Sequence, residues 1–161
     1  MSGERTRKLR WTDFIGSSIA GALFIGQIVL CVLFYNWGGL DALLYLGWAI
    51  LALGMVLGWR ARVAFQGKGG APDGESWLAT TVVVDTGIYA VVRHPMYSGV
   101  LVMILFSPLA LGSYWAIIPA LFVPVVLVIR IRDEEEMLLE ELPGYREYTQ
   151  KTRYRLIPDL W

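Results

Sequence analysis

Charged and apolar positions are segregated along this chain. Phe14 to Tyr35 is a run of 22 residues without Asp, Glu, Lys, Arg or His. Ala42 to Trp59 adds 18 more, and Pro95 to Ile129 adds 35. About 20 apolar residues cross a bilayer as a helix, so the pattern predicts membrane spans. The first runs from about Asp13 to Tyr35 and turns at Asn36-Trp37-Gly38-Gly39. The second runs from about Leu40 to Trp59. The third stretch would make a helix of roughly 52 Å at 1.5 Å per residue, against a hydrocarbon core of about 30 Å. It therefore predicts two short spans, about Met96–Leu111 and Tyr114–Arg132, turning at Gly112-Ser113. Pro108, Pro119 and Pro124 fall inside these spans, where neighbouring helices re-satisfy the freed backbone.

The segments between and after the spans are polar. Gln66 to Gly74 reads as a flexible connection, and Thr80 to Val92 as extended, with a turn at Asp85-Thr86-Gly87. Asp133 to Leu142 continues the fourth helix until Pro143-Gly144 ends it. Tyr145 to Arg155 reads as a short amphipathic helix on the membrane surface.

Composition agrees with this reading. The chain is 56% hydrophobic and 17% charged, against about 25% charge in soluble domains. A soluble domain and a disordered chain are both excluded. Fourteen basic residues balance fourteen acidic ones, so no net field attracts nucleic acid. The single Cys31 and single His94 leave no disulfide and no Cys- or His-rich metal site.

The basic residues set the orientation. Arg5, Arg7, Lys8 and Arg10 precede the first span. Arg60, Arg62, Lys68 and Arg93 lie between the second and third. Arg130, Arg132, Arg146, Lys151, Arg153 and Arg155 follow the apolar part of the fourth. These groups hold all 14 basic residues, and the two other turns hold none. The positive-inside rule then puts both termini in the cytoplasm. The expected fold is an all-α integral membrane protein with about four transmembrane helices. It forms a single membrane domain over residues 1–161, with a two-span hairpin over 1–62 and a core over 83–158. Its third and fourth helices form a short hairpin, and its C-terminal helices close a pocket on the cytoplasmic face.

Many polar and small residues have ordinary explanations. Gly54 and Gly58 form a GxxxG, and Gly16, Gly21 and Gly26 line the first span, where small residues let helices approach. Such faces also permit an oligomer. Gln27, alone in the first span, is expected to bond a neighbouring helix. The seven Trp sit mostly near span ends, as interface anchors do.

Three clusters ask for more. The first, Gly87 to Gly99, puts Arg93 and His94 immediately before Pro95, a residue suited to begin a helix. Tyr97 and Gly99 follow in its opening turns. Free N–H groups at a helix start favour an anionic group, and glycine lets a flat ligand approach the backbone. A snorkelling arginine and an interfacial aromatic belt would explain the same residues. The second cluster is Arg130-Ile131-Arg132-Asp133-Glu134-Glu135-Glu136. A solvated helix face with an Arg130–Glu134 pair explains part of it, but not the crowding of acids at the membrane surface. The third, Tyr145 to Pro158, is basic and aromatic, a composition that suits lipid headgroups. Because the stretch between the first two clusters is a hairpin, Arg93 and His94 should meet Glu134 and Glu135. A pocket with cationic and anionic sides at the lipid boundary suits an amphipathic or zwitterionic ligand.

The order Gly-Ile-Tyr, Arg-His-Pro-Met-Tyr-x-Gly, hairpin, Arg-Ile-x-x-Glu-Glu, Tyr-x-x-Tyr and Leu-Ile-Pro resembles the isoprenylcysteine carboxyl methyltransferases and the related phospholipid methyltransferases. The resemblance covers Val83 to Pro158. It implies a small membrane enzyme using S-adenosylmethionine, held in a pocket of the C-terminal half. It implies that His94, Pro95, Tyr97 and Gly99, with Tyr89 before them, form the cofactor-binding helix start. Glu134 and Glu135 match paired glutamates serving the cofactor and the reaction centre. Arg93 matches the arginine beside the acceptor, and Arg153 a second one in the tail, with Arg155 equally close. The expected reaction is methyl transfer to a lipophilic acceptor, either a carboxylate of an isoprenylcysteine-like compound or a lipid headgroup. An ionised carboxylate would need only a cation to hold it, whereas an amine must first lose a proton, with Glu134 as base. The expected location is the plasma membrane of a prokaryote. Two alternatives stand beside this reading: an NADPH-dependent membrane reductase of related fold, and a non-catalytic membrane adaptor.

Overall fold

The computed structural model describes residues 11–34, 41–68 and 80–161. The N-terminal basic residues, the turn at Asn36 to Gly39 and the connection from Gly69 to Gly74 lie outside them. The described residues form five α-helices: α1 (Trp11–Leu33), α2 (Asp41–Gly67), α3 (Pro95–Ala110), α4 (Ile117–Glu141) and α5 (Tyr145–Lys151). Two 3₁₀ turns, Gly87–Ala90 and Tyr114–Ala116, precede α3 and α4. Among the described residues there is no strand, only an isolated parallel bridge between Val92 and Tyr154.

By length and composition the helices Ala42–Gly67 and Tyr114–Glu141 could cross a membrane. The apolar helices Gly21–Leu33 and Pro95–Ala110 are shorter. Side chains such as Leu53, Met55, Leu121, Phe122 and Val125 are mostly exposed on α2 and α4. In water so much bare apolar surface would drive aggregation, whereas lipid solvates it. This is a helical membrane protein.

The order of packing is α2 on α3, α3 on α4, and α4 on α1. The α2–α3 contact is the most extensive, because glycine lets two backbones touch. A Cβ on Gly99 would lie 2.8 Å from the Gly54 carbonyl oxygen and 2.8 Å from the Gly58 nitrogen. A Cβ on Gly47 would overlap the Ala110 backbone. The small residues of α2 are therefore an interhelical seam, as expected of a GxxxG. On α4 the seam toward α3 is Val123, Leu127 and Ile131, packed with Tyr97, Leu101 and Leu156.

Pro108 lies inside α3 and cannot donate to the carbonyl four residues earlier, that of Ile104. Two side chains take its place. Gln27 Nε2 of α1 donates to the Ile104 oxygen at 2.8 Å, and Ser107 Oγ donates at 3.0 Å. Gln27 thus bonds a neighbouring helix, and the proline explains which carbonyl it takes.

Three boundaries differ from the sequence expectation. Helix α2 continues past Trp59 to Gly67, because Ala61 and Phe65 pack under Val84 and Tyr89. Thr80 to Val92 contains a 3₁₀ turn at Gly87–Ala90 where extended chain was expected. Its Val and Thr find no partner strand beyond the single bridge, and burial of Tyr89 governs its path. Helix α5 stops at Lys151 because the carbonyls of Thr152 and Arg153 turn inward to Arg93 Nη1, at 2.8 and 3.1 Å. Tyr145 and Tyr148 on α5 are buried against the protein with Leu142, so its aromatic face is not turned to lipid. Pro143-Gly144 does end α4, and the left-handed φ of 84° at Gly144 suits a residue without a Cβ.

The seam makes a prediction. Gly54→Ala or Gly99→Ala should lower stability by about 1–3 kcal/mol through overpacking, read as an earlier thermal unfolding transition in detergent. Gly21→Ala, where a Cβ would meet nothing within 4 Å, should leave the transition unchanged.

Candidate functional site

Glu135 continues the buried seam of α4 by the same four-residue step as Val123, Leu127 and Ile131, and it is 5% exposed. A carboxylate in a position that packing reserves for leucine needs donors. Three reach it. Arg93 Nε donates to Oε1 at 2.6 Å and Arg155 Nε to Oε2 at 2.7 Å. His94 Nε2 stands 3.3 Å from Oε1, with its N–H as donor to an ionised acid. The backbone reinforces the tie. The N–H groups of Arg93 and His94 donate to the carbonyls of Tyr154 and Arg155 at 2.9 and 2.8 Å. Ser98 Oγ donates to the Leu156 carbonyl at 2.6 Å. One carboxylate thus joins α4, the start of α3 and the tail.

Glu134, the next residue, points elsewhere because successive helical residues are about 100° apart. Its Oε2 accepts from the Tyr97 hydroxyl at 2.9 Å, and that hydroxyl accepts from Arg130 Nε at 3.0 Å. Arg130 is thus linked to Glu134 through the phenol of α3.

Beside Glu134 lies a pocket lined by Tyr89, Arg93, His94, Pro95, Met96 and Tyr97 from the start of α3, and by Met137, Leu138, Tyr145 and Tyr148. Phe65 of α2 and Val82 to Val84 complete its wall. The space within it is about 60 Å³, enough for a few waters. The pocket is partly open, so a larger ligand would extend out of it. Burial pushes the phenols of Tyr89, Tyr145 and Tyr148 up, so all three are neutral donors near neutral pH. Tyr148 donates to the Tyr89 carbonyl at 2.7 Å. The Tyr89 hydroxyl itself is buried without a partner among the described residues. A buried hydroxyl without a partner is uncommon and calls for one.

The hairpin brings together most of the residues singled out in the sequence. Tyr89, Arg93, His94, Pro95, Tyr97 and Glu134 line one pocket. Glu135 is the tie behind it. Gly99 faces the glycines of α2, so the space of its absent side chain is taken by a helix and not by a ligand. Arg153 is exposed and contributes only its carbonyl, whereas Arg155 reaches Glu135. Sequence reasoning assigned no pocket role to Phe65, Met137, Tyr145 or Tyr148. The Tyr-x-x-Tyr of the last two belongs to the third cluster and to the motif order, and its spacing puts both on one face of a short helix. Phe65 gave no signal, because it lies beyond the apolar run.

A family description for phospholipid methyltransferases matches residues 42–146. The match covers more than half of the chain, and the chain belongs to the phospholipid methyltransferase family. Membership implies a membrane methyltransferase. No curated protein matches the chain.

The two glutamates should separate on mutation. Glu135→Ala leaves buried cations unpaired and should cost about 3–5 kcal/mol. The expected readout is a lower unfolding temperature and faster tryptic cleavage after Lys151. Glu134→Ala should cost about 1 kcal/mol, as for one hydrogen bond.

Proposed function

We propose that this protein transfers a methyl group from S-adenosylmethionine to a lipophilic acceptor at the cytoplasmic face of a prokaryotic plasma membrane. The observation that carries the proposal is the buried, unpartnered Tyr89 hydroxyl on a pocket shared with the Glu134 carboxylate, in a chain of a methyltransferase family. Four spans with both termini in the cytoplasm would put that pocket on the basic side of the membrane. Residues 1–62 then serve as a hairpin anchor and 83–158 as the methyl-transfer core.

The residues suit the cofactor. Glu134 would hold its cationic portion, Tyr89 would donate to a polar oxygen, and Met96, Met137 and Leu138 would cover apolar surface. His94, Pro95 and Tyr97 form the wall at the start of α3. Bound there, the cofactor supplies an electrophilic methyl group on a sulfonium. The protein aligns the acceptor with it.

The charge balance of the pocket favours an amine headgroup as acceptor. Arg93 is committed through Nε and Nη1 to Glu135 and the tail, and Arg153 stands exposed. Glu134 is the carboxylate that faces the pocket. It would attract a protonated amine and take its proton before transfer, while Tyr97 and Arg130 steady the carboxylate. A carboxylate acceptor has one observation in its favour: Arg93 lines the pocket, and its Nη2 carries no bond among the described residues.

Calorimetry on the detergent-solubilised protein tests the cofactor. S-adenosylmethionine should bind saturably and NADPH should not. Glu134→Gln should weaken binding about 10- to 100-fold, as for a hydrogen bond to a charged group, and Tyr89→Phe about three- to tenfold. Unchanged affinity in both variants would remove the pocket from the proposal.

Topology is tested separately. In a Cys31→Ala background, an impermeant maleimide should label Tyr114→Cys in intact cells. It should label Glu147→Cys only after permeabilisation. The reverse pattern would put the site outside.

A further inference from the structure

The tie at Glu135 has one weak arm. The side chains of Arg93 and Glu135 are 5% and 6% exposed, but that of Arg155 is 34% exposed. Water competes for such a guanidinium, and a long side chain gives up rotamer freedom to stay in one place. The arm holds only if something covers the cation and limits its motion. An indole does so. The Arg155 guanidinium carbon stands over the Trp161 ring, 5.2 Å from its centre, within range of the attraction between a cation and the negative face of an aromatic ring. Glu135 takes the Nε edge of the guanidinium, and Trp161 covers its face.

The tail itself holds the ring there. Three successive N–H groups, those of Arg155, Leu156 and Ile157, donate to the main-chain oxygen of Trp161 at 2.8, 3.1 and 3.3 Å, a nest around one acceptor. The Trp161 N–H returns to the Ile157 carbonyl at 3.1 Å. Across the same turn the Tyr154 hydroxyl donates to Asp159 Oδ1 at 2.7 Å. Trp161 packs against the cluster that contains Tyr97, Ile131 and Leu156.

Trp161 is not among the residues that line the ligand pocket. Its path to the pocket runs through Glu135. Arg155 occupies Oε2, while Arg93 and His94, both on the pocket wall, share Oε1. With Oε2 unheld the carboxylate can turn, and both wall residues lose the oxygen that fixes them. The Tyr154 and Arg155 carbonyls, which accept from the Arg93 and His94 amides, would shift with the tail. We propose that Trp161 is a positioning residue: its ring holds Arg155 on Glu135, and thereby holds Arg93 and His94 in the pocket wall. The consequence for cofactor binding rests on the function proposed above, whereas the effect on the wall does not.

The test combines hydrogen exchange of the full chain in detergent, read by mass spectrometry, with calorimetry of S-adenosylmethionine. Trp161→Leu keeps apolar bulk and removes the ring. It should speed exchange at the Arg93 and His94 amides about three- to tenfold, as loss of one cation–ring contact requires, and weaken S-adenosylmethionine binding by a similar factor. Exchange over Val123 to Ile131 should match the wild type, because only the tail is released. Trp161→Phe, which restores a ring, should recover most of both losses. In an Arg155→Met protein, itself faster to exchange at the same two amides, Trp161→Leu should add nothing, since ring and cation form one contact. Unchanged exchange at Arg93 and His94 in Trp161→Leu would overturn the proposal. So would a further rise in the Arg155→Met background, or faster exchange with undiminished S-adenosylmethionine affinity. If Trp161→Leu fails to fold, Arg155→Met decides: wild-type exchange at the two amides would sink the proposal. A wild type that does not bind S-adenosylmethionine would remove the cofactor reading alone, and the exchange comparison then decides the role of Trp161.

Discussion

The Glu135 carboxylate is the interaction on which the packing of α4, the start of α3 and the tail depends. It sits in a leucine-like position on the α4 seam, where an unpaired charge could not be sustained. Arg93, His94 and Arg155 make it tenable, and each belongs to a segment that must be placed: the first two to the start of α3, the third to the tail. Arg93 then extends the tie through the Thr152 and Arg153 carbonyls. A single ion cluster thereby fixes the depth of α3 against α4 and the course of the last ten residues.

That arrangement explains why a pocket stands beside the cluster and not within it. Both oxygens of Glu135 are taken up by Arg93, His94 and Arg155. The adjacent Glu134, turned by one helical step, lines that pocket, with Tyr97 and Arg130 behind it. Helix geometry thus turns neighbouring glutamates to different surroundings. The same division applies to the arginines: Arg155 is drawn inward to the tie, and Arg153 stays outside.

Within the membrane part, cohesion has a different source. Lipid solvates apolar side chains as well as protein does, so close backbone approach and side-chain hydrogen bonds bring helices together. The α2–α3 seam relies on Gly47, Gly54 and Gly99, and α1 is joined to α3 by Gln27 at the carbonyl that Pro108 leaves open. Ser113, buried beyond α3, adds a hydrogen bond to the Leu30 carbonyl of α1. Proline and glutamine are thus complementary halves of one contact, although 81 residues separate them.

Composition and charge segregation determined by themselves that this is a helical membrane protein, and motif order determined its family. Both are properties of the chain read locally: run length, residue type and spacing. The hairpin arithmetic also made it legible that Arg93 and His94 would meet the acidic run of α4. Only the tertiary structure decided which acid turns inward, which tail arginine follows it, and what Gly99 faces. Those outcomes depend on how helices rotate against one another and where the tail is pinned, and neither is written in any one segment. The extended reading of Thr80 to Val92 failed at Gly87–Ala90 for the same reason. Its residue preferences are weak beside the burial of Tyr89 against Ala61, a contact that exists only once α2 is in place.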